Sequence, residues 1–447
     1  MKAASPPFIT RTRPGQAYRK GESTMDQKIY ESYVAILRHE LVPALGCTEP
    51  IAIAFASAKV REVMGCMPEH LTAYLSGNII KNVKSVVVPN SGGERGIEIA
   101  ATLGCVGGDA SMDFEVLTRV TPEDIALAKK LVHEGFCTAK YAEGEDNLYI
   151  RIDAVCGEKT ASVTVEHEHT HITKIEKDGV TLFCDRGGFT TGGESKEKET
   201  LNVRDILAFA EQVKVEDVRP ILERQIRLNT AISEEGLKGA YGEAVGHTLM
   251  AVEGDRVEGR AAARAAAGSD ARMNGCSMPV VINSGSGNQG MTITLPVCEY
   301  AKTWGKDEET LLRALALANL ISVHIKRHIG NLSAFCGAVS AGCGAACGIA
   351  WMDGCTYEQI CMTITNTLCN VGGMVCDGAK SSCAAKIASA VNAGTLSYRM
   401  AKEGHAFQPG EGLVGRDIEE TIENIGRMGR EGMHATDVEI LNIMVGN

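Results

Sequence analysis

Thiol chemistry is concentrated in one stretch of this chain. Seven of its sixteen cysteines, Cys336, Cys343, Cys347, Cys355, Cys361, Cys369 and Cys376, fall between residues 331 and 376, and Cys383 follows just beyond. Two phrases set thiols beside glycine, where a backbone can come close to a bulky ligand: Ser333-Ala334-Phe335-Cys336-Gly337 and Val375-Cys376-Asp377-Gly378-Ala379-Lys380-Ser381-Ser382-Cys383. Soft thiolates select zinc, copper(I) or iron–sulfur clusters over hard cations. The Cys-x-x-Cys knuckle of structural zinc sites does not occur in the sequence. Cysteines far apart in sequence can hold a cluster, and three of them leave one iron open to substrate. The competing reading is core packing, since free cysteine buries as a small hydrophobe. Cys343, Cys347, Cys355, Cys361 and Cys369 are assigned to the core; Cys336, Cys376 and Cys383 are the candidate ligands.

A separate thiol, Cys47, stands in Val42-Pro43-Ala44-Leu45-Gly46-Cys47-Thr48-Glu49-Pro50. Pro43, Gly46 and Pro50 interrupt the helical pattern, so Cys47 is expected at a bend before a fresh helix from about Pro50. A helix N-terminus lowers a thiol's pKa, which would make Cys47 a reactive thiolate. A cap-region cysteine that only packs is the alternative.

Two loops offer Asn-Ser-Gly: Asn90-Ser91-Gly92 and Asn283-Ser284-Gly285. Amides, hydroxyls and exposed backbone N–H groups of this kind can hold a carboxylate, although each also suits an ordinary turn. Neither is a phosphate loop or a dinucleotide fingerprint. His167, His169 and His171 alternate as if along one strand face, and an exposed polar face accounts for them without a metal. His324 and His328, four apart beside Lys326 and Arg327, read as solvated cations at a helix end.

The elements that must position these groups follow from composition and periodicity. With 447 residues the chain exceeds the size of a single core, and 44% hydrophobic residues with 5% aromatics and 49 glycines favour close-packed small-residue helices. A net charge of −11 argues against nucleic acid or an anionic membrane as partner and for a small molecule. Sixteen cysteines without an export signal point to a reducing cytoplasm. Residues 332–352 carry no charge, but their Gly, Ala, Ser and Cys content suits a tightly packed core helix and not a bilayer span.

The expected organisation is α+β: a disordered leader over 1–24, a helical segment over 25–70 packing on the C-terminal domain, a smaller mixed α/β domain over 71–195, and a mainly helical domain over 196–447. Strands are expected at residues 85–88, 146–154 and 159–165, with a hairpin turning at Lys177-Asp178-Gly179. A polar run over 193–200 marks the linker. Helical patterns follow at 202–212, 218–233, 258–267, 310–326 and 384–404.

Taken in order, Gly46-Cys47-Thr48-Glu49-Pro50, Asn283-Ser284-Gly285-Ser286-Gly287-Asn288-Gln289-Gly290, Ser333-Ala334-Phe335-Cys336-Gly337 and Cys376-Asp377-Gly378-Ala379-Lys380 resemble the L-cysteine desulfidase family, related to the iron–sulfur L-serine dehydratases. The resemblance covers about residues 25–447. It implies a [4Fe-4S] cluster on Cys336, Cys376 and Cys383 with one open iron, and Cys47 as the base. It implies a β-eliminating lyase that converts L-cysteine to pyruvate, ammonia and sulfide, or L-serine likewise with release of water. A homodimer is compatible with that reading. A non-catalytic thiol-rich metal or redox protein is the third reading; clustered Cys-x-x-Cys pairs, which it would want, are lacking.

Overall fold

A computed structural model describes residues 25–185, 196–330 and 332–446. Its strands are β1 (Pro43–Leu45), β2 (His70–Leu75), β3 (Cys137–Tyr141), β4 (Tyr149–Cys156), β5 (Lys159–Glu166), β6 (Ile172–Lys177), β7 (Val180–Cys184) and β8 (Pro279–Val281). Six of them form one sheet in the order β3-β2-β4-β5-β6-β7, parallel only at β2–β3. Alternation sets its buried face: Leu71, Ala73 and Leu75 of β2 and Ile150, Ile152 and Ala154 of β4 point to the same side. Helices Thr48–Met64 and Ile97–Gly107 cover that face, burying Ile51, Ile53, Phe55, Ile99 and Leu103. Each such side chain taken out of water contributes about 1.5–3 kcal/mol. The β6–β7 hairpin turns as expected at Asp178 and Gly179, both at positive φ, which matches the twist of the flanking strands.

The remaining chain is mainly helical around a second core. Helices Val203–Gln212, Val215–Gly236, Val257–Met273, Gly287–Thr303, Glu308–Ile329, Ala338–Met352, Tyr357–Val371 and Cys383–Lys402 supply most of it. Ala338–Met352 is buried almost throughout, and its small residues bring backbones together: a Cβ on Gly344 would meet the Ala318 carbonyl at 2.3 Å. Among the described residues, no helix is long and apolar enough to cross a membrane. The α+β class is as expected.

Several boundaries differ from the sequence reading. The 25–70 segment is split: helix Gln27–Glu40 packs Tyr33 and Leu37 into the helical core, whereas Thr48–Met64 belongs to the sheet's core. Residues 85–88 form no strand, only a bridge between Val87 and Arg95. His167, His169 and His171 do not share a strand face, because β5 ends at Glu166 and a turn with His167 at positive φ precedes β6. His324 is no solvated cation: it is buried and bonds Glu419 Oε2 at 2.6 Å. The leader and residues 193–195 of the linker lie outside the described residues; the rest of the linker, Lys196–Thr200, forms a short 3-10 turn.

One short pairing decides where the site forms. β1 runs antiparallel to β8, pairing Pro43 with Val281 and Leu45 with Pro279. The turn holding Cys47 is thereby laid beside the loop holding Asn283-Ser284-Gly285, and Thr48 Oγ1 donates to Gly285 O at 3.0 Å.

Candidate active site

Cys336 and Cys376 arrive on two loops zipped together by backbone. Cys336 N–H donates to Met374 O at 2.9 Å and Cys376 N–H to Ala334 O at 2.6 Å, with Phe335 and Val375 bridged between them. Cys336 then precedes helix Ala338–Met352, and Cys383 opens helix Cys383–Lys402. The loop between Cys376 and Cys383 turns at Gly378, whose φ of 90° and approach to Lys81 O, 2.7 Å from a built Cβ, leave no room for a side chain. Cys383 Sγ is held against Gly378 O at 3.6 Å.

The three thiols line one chamber of about 110 Å³, with Lys81, Asn82, Arg272, Asn288 and Gly337 in its wall. Burial pushes the Cys336 thiol up to about 12, and the Cys376 sulfur adds to it. Burial likewise raises Cys383 to about 11, again with Cys376 reinforcing it. Among the described residues no group of His, Cys, Asp or Glu converges closely enough for a single metal ion. A four-iron cluster is wider than one ion, and its thiol ligands stand correspondingly further apart. The surroundings suit such a group in charge as well. A cluster held by three thiolates is anionic, and Lys326, Lys81, Lys380, Lys386 and Arg272 stand around these sulfurs or in the chamber wall. Asn82 Oδ1 and Asn288 Oδ1 are buried without a protein partner.

The inner chamber opens into an outer one of about 480 Å³ between the helical core and the sheet. Glu49, Ser286, Gln289, Lys326 and Leu332 line both and form the neck. Lys326 is only 5% exposed, and burial lowers its pKa to about 8 against the opposing pull of the Cys376 and Cys336 sulfurs. Its Nζ donates to Gly330 O. Glu49 accepts from Asn82 Nδ2 at 2.9 Å and from Thr48 Oγ1 at 3.2 Å.

Cys47 sits where the sequence put it, as N-cap of helix Thr48–Met64, but its environment differs from expectation. It lines neither chamber, packing with Val86 and Met273 in a small apolar cluster that Ala379 and Cys383 adjoin. Its Sγ lies 3.9 Å from Met273 Sδ. Burial, opposed by Arg272, pushes the thiol up to about 12, so desolvation outweighs the helix terminus.

The two Asn-Ser-Gly loops part company. Ser284 and Gly285 line the outer chamber, and Ser284 N–H is held by Glu40 Oε2 at 2.9 Å. Asn283 is buried behind them, its Nδ2 on Asn319 Oδ1 at 3.0 Å. Asn90, Ser91 and Gly92 do not join the site: Ser91 Oγ donates to Glu94 O within the loop, and Asn90 Nδ2 donates to Leu117 O, tying the loop to the segment after the 3-10 turn Ala110–Glu115. That loop instead backs the Cys47 turn, with Pro89 filling the space beside Gly46.

Sequence reasoning passed over Glu49, Lys326, Gln289 and His169. His169 reaches the outer chamber from the β5–β6 turn, 7% exposed, with its ring 6.0 Å from that of Phe114 and its Nε2 unpartnered. Burial lowers its pKa, keeping the ring neutral at pH 7.

Residues 111–442 match the model of the serine dehydratase alpha chain. The chain belongs to that family. Its relatives include UPF0597 proteins of Lachnoclostridium phytofermentans, 52% identical over 93% of this chain and 100% of the relative, and of Finegoldia magna, 48% identical over 93% and 99%. A UPF0597 protein of Treponema denticola is 45% identical over 94% and 99%. The family groups the chain with iron–sulfur serine dehydratase-like lyases, while the relatives' names specify no activity.

Proposed function

We propose that this protein is a β-eliminating lyase acting on L-cysteine, with Cys336, Cys376 and Cys383 holding a [4Fe-4S] cluster. The observation that carries the reading is the convergence of these thiols on one chamber that opens through a polar neck into a larger one. When bound, the cluster supplies a Lewis-acidic iron free of protein thiolate, able to take charge from a departing β-substituent.

The chain's own residues do the rest. The neck and the Ser284-Gly285 turn orient the amino acid, and the buried walls limit water at the reacting carbons. The family resemblance makes Cys47 the candidate acceptor of the Cα proton; in this structure it lines neither chamber and burial holds its thiol protonated, so that role requires the Cys47 turn to shift toward the chamber beside Cys383, where Arg272 and Lys380 favour the thiolate. Elimination of hydrogen sulfide from L-cysteine leaves 2-aminoacrylate, whose imine tautomer adds water to give pyruvate and ammonia. The family's name favours a second reading, L-serine dehydration by the same route with water as leaving group.

Anaerobically purified protein, assayed for iron, acid-labile sulfide and visible absorbance, tests the cluster. Pyruvate release from L-cysteine and from L-serine tests the substrate. Iron-containing protein that eliminates from neither would remove both readings, and absence of iron after anaerobic reconstitution would remove the cluster.

A further inference from the structure

Two opposite charges line the neck, and among the described residues neither has an ion-pair partner. Lys326 is an almost fully buried ammonium, and among the described residues no carboxylate comes within ion-pair distance of it. Its hydrogen bond to Gly330 O uses one of three N–H donors. Glu49, on the first turn of helix Thr48–Met64, is half-buried; its hydrogen bonds come from neutral groups, Asn82 and Thr48. Of the other cations of the inner wall, Lys81 is paired with Asp437; Arg272 donates Nε to Gly46 O at 2.9 Å and, among the described residues, also has no carboxylate partner, but unlike Lys326 it does not line the outer chamber. A buried charge without a partner costs several kcal/mol by order of magnitude; for Lys326 that cost is offset either by the anionic group held at Cys336 and Cys376 or by an ionic ligand in the neck, and the iron content of Lys326 variants separates the two. Glu49 and Lys326 line both chambers, and among the described residues no hydrogen bond or ion pair joins them.

We infer that Glu49 and Lys326 form a clamp for a zwitterion, Glu49 taking the α-ammonium and Lys326 the α-carboxylate of a free amino acid. The inference rests on the proposed lyase reading and narrows it. The two recognition groups come from different cores, Glu49 from the sheet's helix and Lys326 from helix Glu308–Ile329. A substrate bound this way has its β-carbon within the neck, between the thiol chamber and the outer chamber. Peptides, whose amino or carboxyl group is amidated, and deaminated acids are disfavoured, because each leaves one charge of the clamp unmatched, the half-buried Glu49 or the buried Lys326.

The test is calorimetric titration of the anaerobically purified, iron-containing protein with L-alanine, propionate and ethylamine, which present both charges or one. L-Alanine is expected to bind most tightly. Glu49→Gln should weaken L-alanine at least about tenfold and leave propionate unchanged, whereas Lys326→Gln should weaken L-alanine and propionate alike and leave ethylamine unchanged. Lys326→Met serves if the glutamine variant misfolds. Iron is assayed in every variant. Unchanged L-alanine affinity in folded Glu49→Gln, or loss of iron with unchanged propionate affinity in the Lys326 variants, overturns the clamp; the latter makes Lys326 a counter-charge for the cluster. If the binding pattern holds but neither L-cysteine nor L-serine is consumed, the lyase reading fails and the clamp stands.

Discussion

Cys336 and Cys376 are held side by side by reciprocal backbone hydrogen bonds, Cys336 N–H to Met374 O and Cys376 N–H to Ala334 O. Two loops forty residues apart in sequence thus behave as one short antiparallel pair, which sets the backbone positions from which both sulfurs project. Such preorganisation matters for a cluster, since its ligands must meet a rigid body at three points.

The first prediction follows. Cys336→Ala, Cys376→Ala and Cys383→Ala should each lose most of the bound iron and the visible iron–sulfur absorbance. Cys343→Ala, in the core of helix Ala338–Met352, should retain both. Iron analysis per chain after anaerobic purification checks this, and equal iron in all four variants would mean that other thiols are the ligands.

Cys47→Ser separates proton transfer from ligation. Cys47 packs behind Cys383 and lines neither chamber, so the variant should keep its iron and colour. Turnover lower by about 100-fold or more, the usual scale of a lost general base, is the outcome expected if the Cys47 turn moves to the chamber on substrate binding; unchanged turnover would leave Cys47 a packing residue. Iron loss in this variant, measured alongside turnover, would make Cys47 a ligand instead.

How much of this was legible in the sequence depends on the kind of information each feature needs. Helix Cys383–Lys402 and the β6–β7 hairpin were readable because periodicity and Asp-Gly turn chemistry are local. Of the candidate ligands, Cys336 stood out beside Gly337 and Cys376 two residues before Gly378, whereas Cys383, which opens helix Cys383–Lys402, was legible only as the end of the same phrase. Lys326 was hidden by its neighbours: Arg327 and His328 give the appearance of a solvated basic helix end, and only the packing of residues about 100 positions away, Glu419 and Arg430, buries that end. His169 was masked by its alternation with His167 and His171, since a turn with positive φ is invisible to a period-two pattern. Asn90-Ser91-Gly92 and Asn283-Ser284-Gly285 are identical as strings; the β1–β8 pairing, a tertiary event, brings only the second to the chamber.

Asp270 sets a pH dependence of stability remote from the thiols. Fully buried, it accepts from Gly246 N–H at 2.8 Å at the start of helix Val245–Glu253, and its other oxygen, Oδ1, is unpartnered. Burial raises its pKa from 3.8 to about 6. Between these values the folded chain keeps a proton that the unfolded chain has released, so stability from this group falls as pH rises from about 4 to about 6 and is level above. The cost above pH 6 is about 3 kcal/mol, at about 1.4 kcal/mol per pKa unit. Asp270→Asn keeps an acceptor for Gly246 and carries no charge. Its stability relative to wild type should therefore increase between pH 5 and pH 8, read from urea denaturation; a constant difference would show that Asp270 titrates normally.

The last prediction concerns the buried pair Lys81 and Asp437, which joins three parts of the chain. Lys81 Nζ is 2% exposed, bonds Asp437 Oδ1 and lies 3.5 Å from Cys376 O; Asp437 Oδ2 accepts from Ala334 N–H at 2.8 Å. The C-terminal helix His434–Val445 thus braces the backbone of both zipped loops. Asp437→Ala removes the counter-charge and the acceptor together, and an uncompensated buried ammonium costs about 3–5 kcal/mol. Lower thermal stability and faster iron loss are expected. The double variant Lys81→Met, Asp437→Leu distinguishes the two roles, because replacing both charges with apolar groups of similar size is often neutral or stabilising. It should recover stability, whereas iron should still be lost faster than from wild type, since Ala334 N–H remains without its acceptor. Recovery of both properties would reduce the pair to a stabilising contact with no part in holding the ligand loops.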